Sequence, residues 1–160
     1  MRPTFEQFDE ALAYNEETGV LSWKIRPSAR TFPGDVIKAK DTHGYVMFGF
    51  KNKTFLAHRV IWLLKTGEWP ALTVDHINLD RADNRWLNLR AATKAQNCAN
   101  QPARRTNRSG LKGAYWHKAA SSWTACFRGK YLGIYPTKEA AHAAYSEAAE
   151  KYFGEFARTA

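Results

Sequence analysis

Residues 73 to 100 read TVDHINLDRADNRWLNLRAATKAQNCAN, and no single hydrophobic period runs through them. Apolar side chains come in two short bursts: Ala71, Leu72, Val74 and Ile77, then Leu87 to Ala92. Between them lies Asn78 to Arg85, rich in Asn and Asp. Such a pattern predicts two brief strands joined by a polar loop. Thr93-Lys94-Ala95-Gln96 has the form of a capping box, so a helix is expected from Lys94 with Asn97 in its first turn. The expectation is a strand, loop, strand, helix unit over about residues 71 to 100, with Asp75, His76 and Asn97 converging.

An acid, an imidazole and an amide brought together suit phosphodiester hydrolysis. Water must be deprotonated near neutral pH, and an imidazole, which ordinarily titrates in that range, can do it, making His76 the candidate. The hard oxygen donors of Asp75 and Asn97 fit a divalent ion such as Mg²⁺ or Mn²⁺, with water and DNA oxygens completing its coordination. Asn88, just before the second strand, reads as a hydrogen-bonding brace across the loop. An Asp-His pair beside a turn can equally be a satisfied loop pair, and Asn-rich loops also simply make turns.

Asp75-His76, Asn88-Leu89-Arg90 and Asn97 resemble the D-H, N-L-R, Asn pattern of the phage and intron-encoded homing enzymes among the HNH endonucleases. The resemblance implies a two-strand, one-helix metal finger in which His76 is the general base, Asp75 and Asn97 hold the metal, and Asn88 steadies the loop. The third signature position is Asn rather than the His that names the superfamily, as is usual in the homing subgroup. Cys98 and Cys126 are too few for the four-cysteine zinc site of many relatives, so no structural zinc is expected.

The net charge of +9 is uneven. Residues 1 to 100 hold fourteen Lys/Arg against eleven Asp/Glu, whereas residues 101 to 135 hold seven Lys/Arg and no acid. A polyanion, here double-stranded DNA, is the expected partner. No long uncharged apolar run or signal peptide appears, so no membrane partner is expected. Two cysteines without paired spacing point to a reducing, intracellular setting, the host cell if the chain is phage-encoded.

The fold class expected is α+β. Thr4-Phe5-Glu6-Gln7 begins a helix expected to reach about Tyr14, followed by a strand over Val20 to Ile25. Tyr45 to Phe50 and Thr54 to Ala57 predict a hairpin around Lys51-Asn52-Lys53, and a helix from His58 to Lys65 should stop near Gly67. His58 and Arg59 resemble the His-Arg often found here in HNH proteins, with a packed or capping His the expected role. Residues 1 to 100 thus form one nuclease domain.

Gln101 to Gly110 contains no large apolar residue and predicts an extended basic linker. Its Arg104, Arg105 and Arg108 would gain from counterion release along a DNA groove; a solvated tether is the plainer alternative. From Leu111 onward, three period-two segments and an Ala-rich helix capped by Thr137 predict a three-stranded antiparallel sheet packed on one helix. The uncovered sheet face would carry Lys112, Tyr115, His117, Arg128 and Tyr131.

Lys112-Gly113-Ala114, Trp123-x-Ala125, Tyr131-Leu132-Gly133-x-Tyr135 and the Ala-rich helix resemble the AP2/ERF DNA-binding domain over about residues 109 to 157. The resemblance implies that the five face residues contact DNA, while Trp123 and Phe127 are core. Two functions fit. One is a metal-dependent endonuclease, a monomer on DNA, whose C-terminal domain selects the site. The other is a DNA-binding regulator that keeps the nuclease fold without cutting.

Overall fold

The first helix begins where Gln7 folds back on the chain, its Oε1 accepting a hydrogen bond from the Thr4 N–H at 3.3 Å. That contact satisfies a donor which a helix start leaves open. This helix, α1, is Phe5–Ala11 and stops short of the expected Tyr14. Leu12–Asn15 is instead strand β1, paired antiparallel with β2, Val20–Trp23. The turn between them decides the matter. Asn15 Oδ1 accepts from the N–H groups of Glu17 and Thr18 at 3.1 and 3.0 Å, and Gly19 adopts φ +73°, closing a hairpin that helix periodicity does not encode.

The computed structural model describes residues 2–159. The chain divides into two compact units, one ending at Thr93 and the other beginning at Lys94. Among the described residues no helix is long and apolar enough to cross a membrane.

The N-terminal unit is built on an aromatic core. Phe8 is fully buried, and its ring lies 5.2 to 6.2 Å from those of Phe48, Phe50, Phe55 and Trp69. β3, Met47–Phe50, and β4, Lys53–Leu56, form an antiparallel hairpin. Its turn residues Lys51 and Asn52 have φ of 47° and 59°, the signs that match strand twist in a tight hairpin. α2, Ala57–Thr66, follows without a break, buries Val60, Ile61 and Leu63 in the same core, and ends at Gly67 in the left-handed conformation. β5, Thr73–His76, pairs antiparallel with β6, Leu89–Ala92, setting Asp75 opposite Arg90 and His76 opposite Leu89. The second strand was expected from Leu87. Residues Trp86–Asn88 form a 3-10 turn instead, which leaves Leu87 91% exposed.

The C-terminal unit begins with α3, Lys94–Asn100, which the sequence had grouped with the nuclease half. β7, Ala114–His117, β8, Ser122–Phe127, and β9, Lys130–Tyr135, make an antiparallel sheet in that order. α4, Lys138–Phe153, starts at Thr137, whose hydroxyl accepts from Ala140 N at 3.1 Å. Ala114, Ala125 and Ala141 form the centre of this small core, with Leu111, Trp123, Leu132 and Tyr135 packed around them. Small side chains let helix and sheet backbones approach closely.

Residues 101 to 110 are not an extended linker. Asn107 N–H donates to Arg104 O at 2.8 Å, Asn107 Nδ2 donates to Leu111 O at 2.8 Å, and the buried Ser109 hydroxyl bonds both Asn107 Oδ1 and Leu111 O. Short polar side chains bonding nearby backbone fold this apolar-poor segment into successive turns. Arg104, Arg105 and Arg108 stay exposed on it.

A Cβ on Gly19 would lie 2.4 Å from Arg85 N and 2.6 Å from Asn84 C, at a φ that side chains resist. Gly19→Ala is therefore expected to lower stability by at least about 1–3 kcal/mol. Urea unfolding would register this as a lower midpoint, and an unchanged midpoint would contradict the close contact.

Candidate active site

Alternation along β5 sends Asp75 and His76 to opposite sides of a short ribbon, and both are buried. Burial forces each polar group to find a partner. Asp75 Oδ2 accepts a hydrogen bond from Arg90 Nε at 3.1 Å, across the register pair that joins the two strands. His76 Nε2 lies 3.0 Å from Asn84 Oδ1. The Asn84 amide is oriented from its other end, where Nδ2 donates to Ala82 O at 3.4 Å. With a carbonyl oxygen as its partner, Nε2 carries the proton and Nδ1 the lone pair, the arrangement a base requires.

Asn84 is in turn fixed by the opposite end of the unit. The Tyr14 hydroxyl donates to Asn84 O at 2.9 Å, and Trp86 N–H donates to Glu16 O at 3.3 Å. The N-terminal hairpin thus packs on the segment that holds His76, and at Gly19 it comes so near Asn84 and Arg85 that a Cβ would clash. Burial, aided by the nearby Glu16 charge, pushes the Tyr14 phenol up to about 12, so it stays a hydrogen-bond donor across the working pH range.

Asn88 spans the loop. Its Oδ1 accepts from Asn78 N at 3.0 Å, while Nδ2 donates to Asn78 Oδ1 at 2.9 Å and to Asp83 O at 2.7 Å. Asp83 also pairs with Arg85, whose hydrogen bonds hold the Asp83 carboxyl down at about 2. The result is a polar loop cross-linked by side chains rather than by a hydrophobic interior.

His76 also meets rings. His58 stands edge-on to it with centroids 5.1 Å apart, and Tyr45 lies 5.8 Å from His76 and 5.1 Å from His58. Arg81 covers the Tyr45 ring at 4.9 Å. His58 is buried, and its Nδ1 has no hydrogen-bond partner among the described residues. Burial pushes its imidazole down to about 3, with the His76 and Arg59 charges acting the same way. Burial also lowers His76, opposed by the Asn84 hydrogen bond and the Asp75 charge.

Asn97 stands half-buried on α3, in the C-terminal unit. Of the five residues expected on the uncovered sheet face, Tyr115, His117 and Tyr131 are exposed on β7 and β9. Lys112 and Arg128 depart from the expectation. Lys112 Nζ donates to Ala99 O at 2.8 Å and Arg158 O at 2.9 Å, tying the two ends of its own unit together. Arg128 sits in the β8–β9 turn with φ +50° and lays its guanidinium 4.3 Å from the Tyr152 ring on α4. Period-two reasoning fails at both because neither belongs to a strand.

Residues 55–99, the span that runs from β4 through α2, β5 and β6 and contains every group of the proposed hydrolytic site, match the family model of the HNH endonucleases. No curated protein and no solved structure matches the chain. The match supports an HNH domain in the middle of the chain and, with it, nuclease action on DNA.

The sequence pattern marks Asn84 only as one of several turn formers in the Asn78 to Arg85 loop and assigns no role to Tyr14 or Tyr45. Nothing local distinguishes Asn84 from Asn78 or Asn88, because the contact that matters comes from residue 14.

Both buried imidazoles lie below their unfolded value near 6.5, so the unfolded chain binds more protons than the folded one as pH falls past that value. Stability should be full above about pH 6.5 and decline on acidification toward the folded His58 value of about 3. Urea titrations at successive pH values would measure the slope, and His58→Gln should make it shallower. An identical slope in that variant would rule out His58 as a contributor.

Proposed function

We propose that this chain is a metal-dependent DNA endonuclease of the phage homing type that hydrolyses phosphodiester bonds with His76 as general base. The carrying observation is the buried His76 imidazole, held through Nε2 by Asn84 at 3.0 Å beside Asp75, within a span that matches the HNH family. The Asp75-His76, Asn88-Leu89-Arg90, Asn97 pattern, with Asn at the third signature position, supports the homing subgroup.

His76 takes a proton from the attacking water on Nδ1, and the Asn84 bond keeps the ring in the tautomer that can do so. Asn88 preserves the loop that carries Asn84. Asp75 and Asn97 would hold Mg²⁺ or Mn²⁺. Their donors suit the ion: both offer hard oxygens, and Asp75 is set rigidly by Arg90. Among the described residues no group of three or more His, Cys, Asp or Glu could cage a metal. A site with two protein ligands, completed by water and phosphate, is the arrangement Mg²⁺ tolerates best. When bound, the ion supplies Lewis-acid stabilisation of charge on the scissile phosphate and the leaving oxygen. One site per chain favours nicking by a monomer, with a double-strand break requiring a second chain or a second event.

The C-terminal unit, similar in sequence to the AP2/ERF domain, supplies affinity and site selection. Arg104, Arg105 and Arg108 meet phosphates, and Tyr115, His117 and Tyr131 face the nucleic acid. Lys112 and Arg128, committed to contacts within their own unit, contribute charge rather than base contacts.

Supercoiled plasmid with Mg²⁺ should be nicked by the wild type. His76→Ala should lose at least about a hundredfold in rate while still shifting DNA in a gel, the size expected when a general base is removed. DNA binding that ignores both metal and His76, with no cleavage, would leave a regulator built on an unused nuclease fold. The affinity of the same protein should fall steeply with salt, log K against log salt being linear, and a slope near zero would refute docking by the arginines.

A further inference from the structure

The departures of Lys112 and Arg128 change what the uncovered face of the β7-β8-β9 sheet can bind. Register leaves it Tyr115 opposite Thr124, Ile134 beyond Thr124, and Cys126 opposite Tyr131. The Thr124 hydroxyl is turned to Tyr115 O at 3.3 Å. The strongest readers of paired bases through the major groove are the bidentate ones, Arg or Lys on guanine and Asn or Gln on adenine. This face has none of them.

It offers rings. Tyr115 is 56% exposed and Tyr131 57%, although such side chains normally lose free energy by standing in water. A duplex keeps its base faces stacked inside, whereas an unpaired strand presents them for stacking on aromatic side chains. Charge supplies the attraction to the phosphates of either form, since residues 101 to 135 carry seven Lys/Arg and no acid. Arg104, Arg108, Tyr115 and the 54% exposed Trp116 line one cleft of about 1170 Å³.

We propose that this face and cleft hold an unpaired DNA strand, with Tyr115 and Tyr131 stacking on bases and Arg104 and Arg108 at phosphates. The proposal rests on DNA being the substrate and is independent of cleavage. Its test uses the full chain in EDTA, with fluorescence anisotropy against a labelled oligothymidylate and a blunt duplex of equal length. The wild type should prefer the single strand. Tyr115→Ala and Tyr131→Ala should each weaken single-strand binding about tenfold and cost duplex binding much less. Both side chains are exposed, so the unit should fold without them, and Tyr115→Phe and Tyr131→Phe should restore the affinity. Equal losses on both ligands, no loss on the single strand, or a wild-type preference for duplex would overturn it. Failure of the nuclease reading would appear only in the plasmid assay with Mg²⁺, and leaves these binding results unaffected.

Discussion

An imidazole taken out of water at the end of a four-residue strand must have its N–H satisfied, and Asn84 does this for His76. The rest of the N-terminal unit can be understood as the means of keeping Asn84 in place. A short polar loop has no apolar mass of its own to hold a side chain still. Asn88 therefore ties the loop to itself with three hydrogen bonds, and the β1–β2 hairpin ties it to the beginning of the chain through Tyr14 and Glu16. The hairpin can come so close only because Gly19 lacks a side chain. Closing a loop of that length costs conformational entropy, which the Phe8-centred aromatic core offsets by anchoring α1 and the hairpin to β3, β4 and α2.

The two units answer the same packing problem differently. The first fills its interior with Phe and Trp side chains, which bury large areas and keep their polar loops at the periphery. The second has an interior of alanines, which draws α4 onto the sheet but buries little aromatic surface at its centre. Tyr115, Trp116 and Tyr131 remain in water. The second unit thus combines exposed rings with a run of residues that has no acid, while the first holds a buried polar centre.

The sequence alone determined what depends on local order and spacing. The offsets among Asp75, His76, Asn88 and Asn97 led to the HNH family, which the match over residues 55–99 supports. The α2 stop at Gly67, the Lys51-Asn52 turn and the Thr137 cap all follow from single residues acting on their neighbours. Tertiary structure decided the rest. It ended α1 at Ala11, because Leu12–Asn15 gain a strand partner; it folded residues 101 to 110 into turns; and it withdrew Lys112 and Arg128 from the sheet face to Ala99, Arg158 and Tyr152. It also chose Asn84 from among similar asparagines. Periodicity reports which way a side chain leaves its own element, but a hydrogen bond or ring contact between distant positions is set by how elements meet, and no local pattern contains that information.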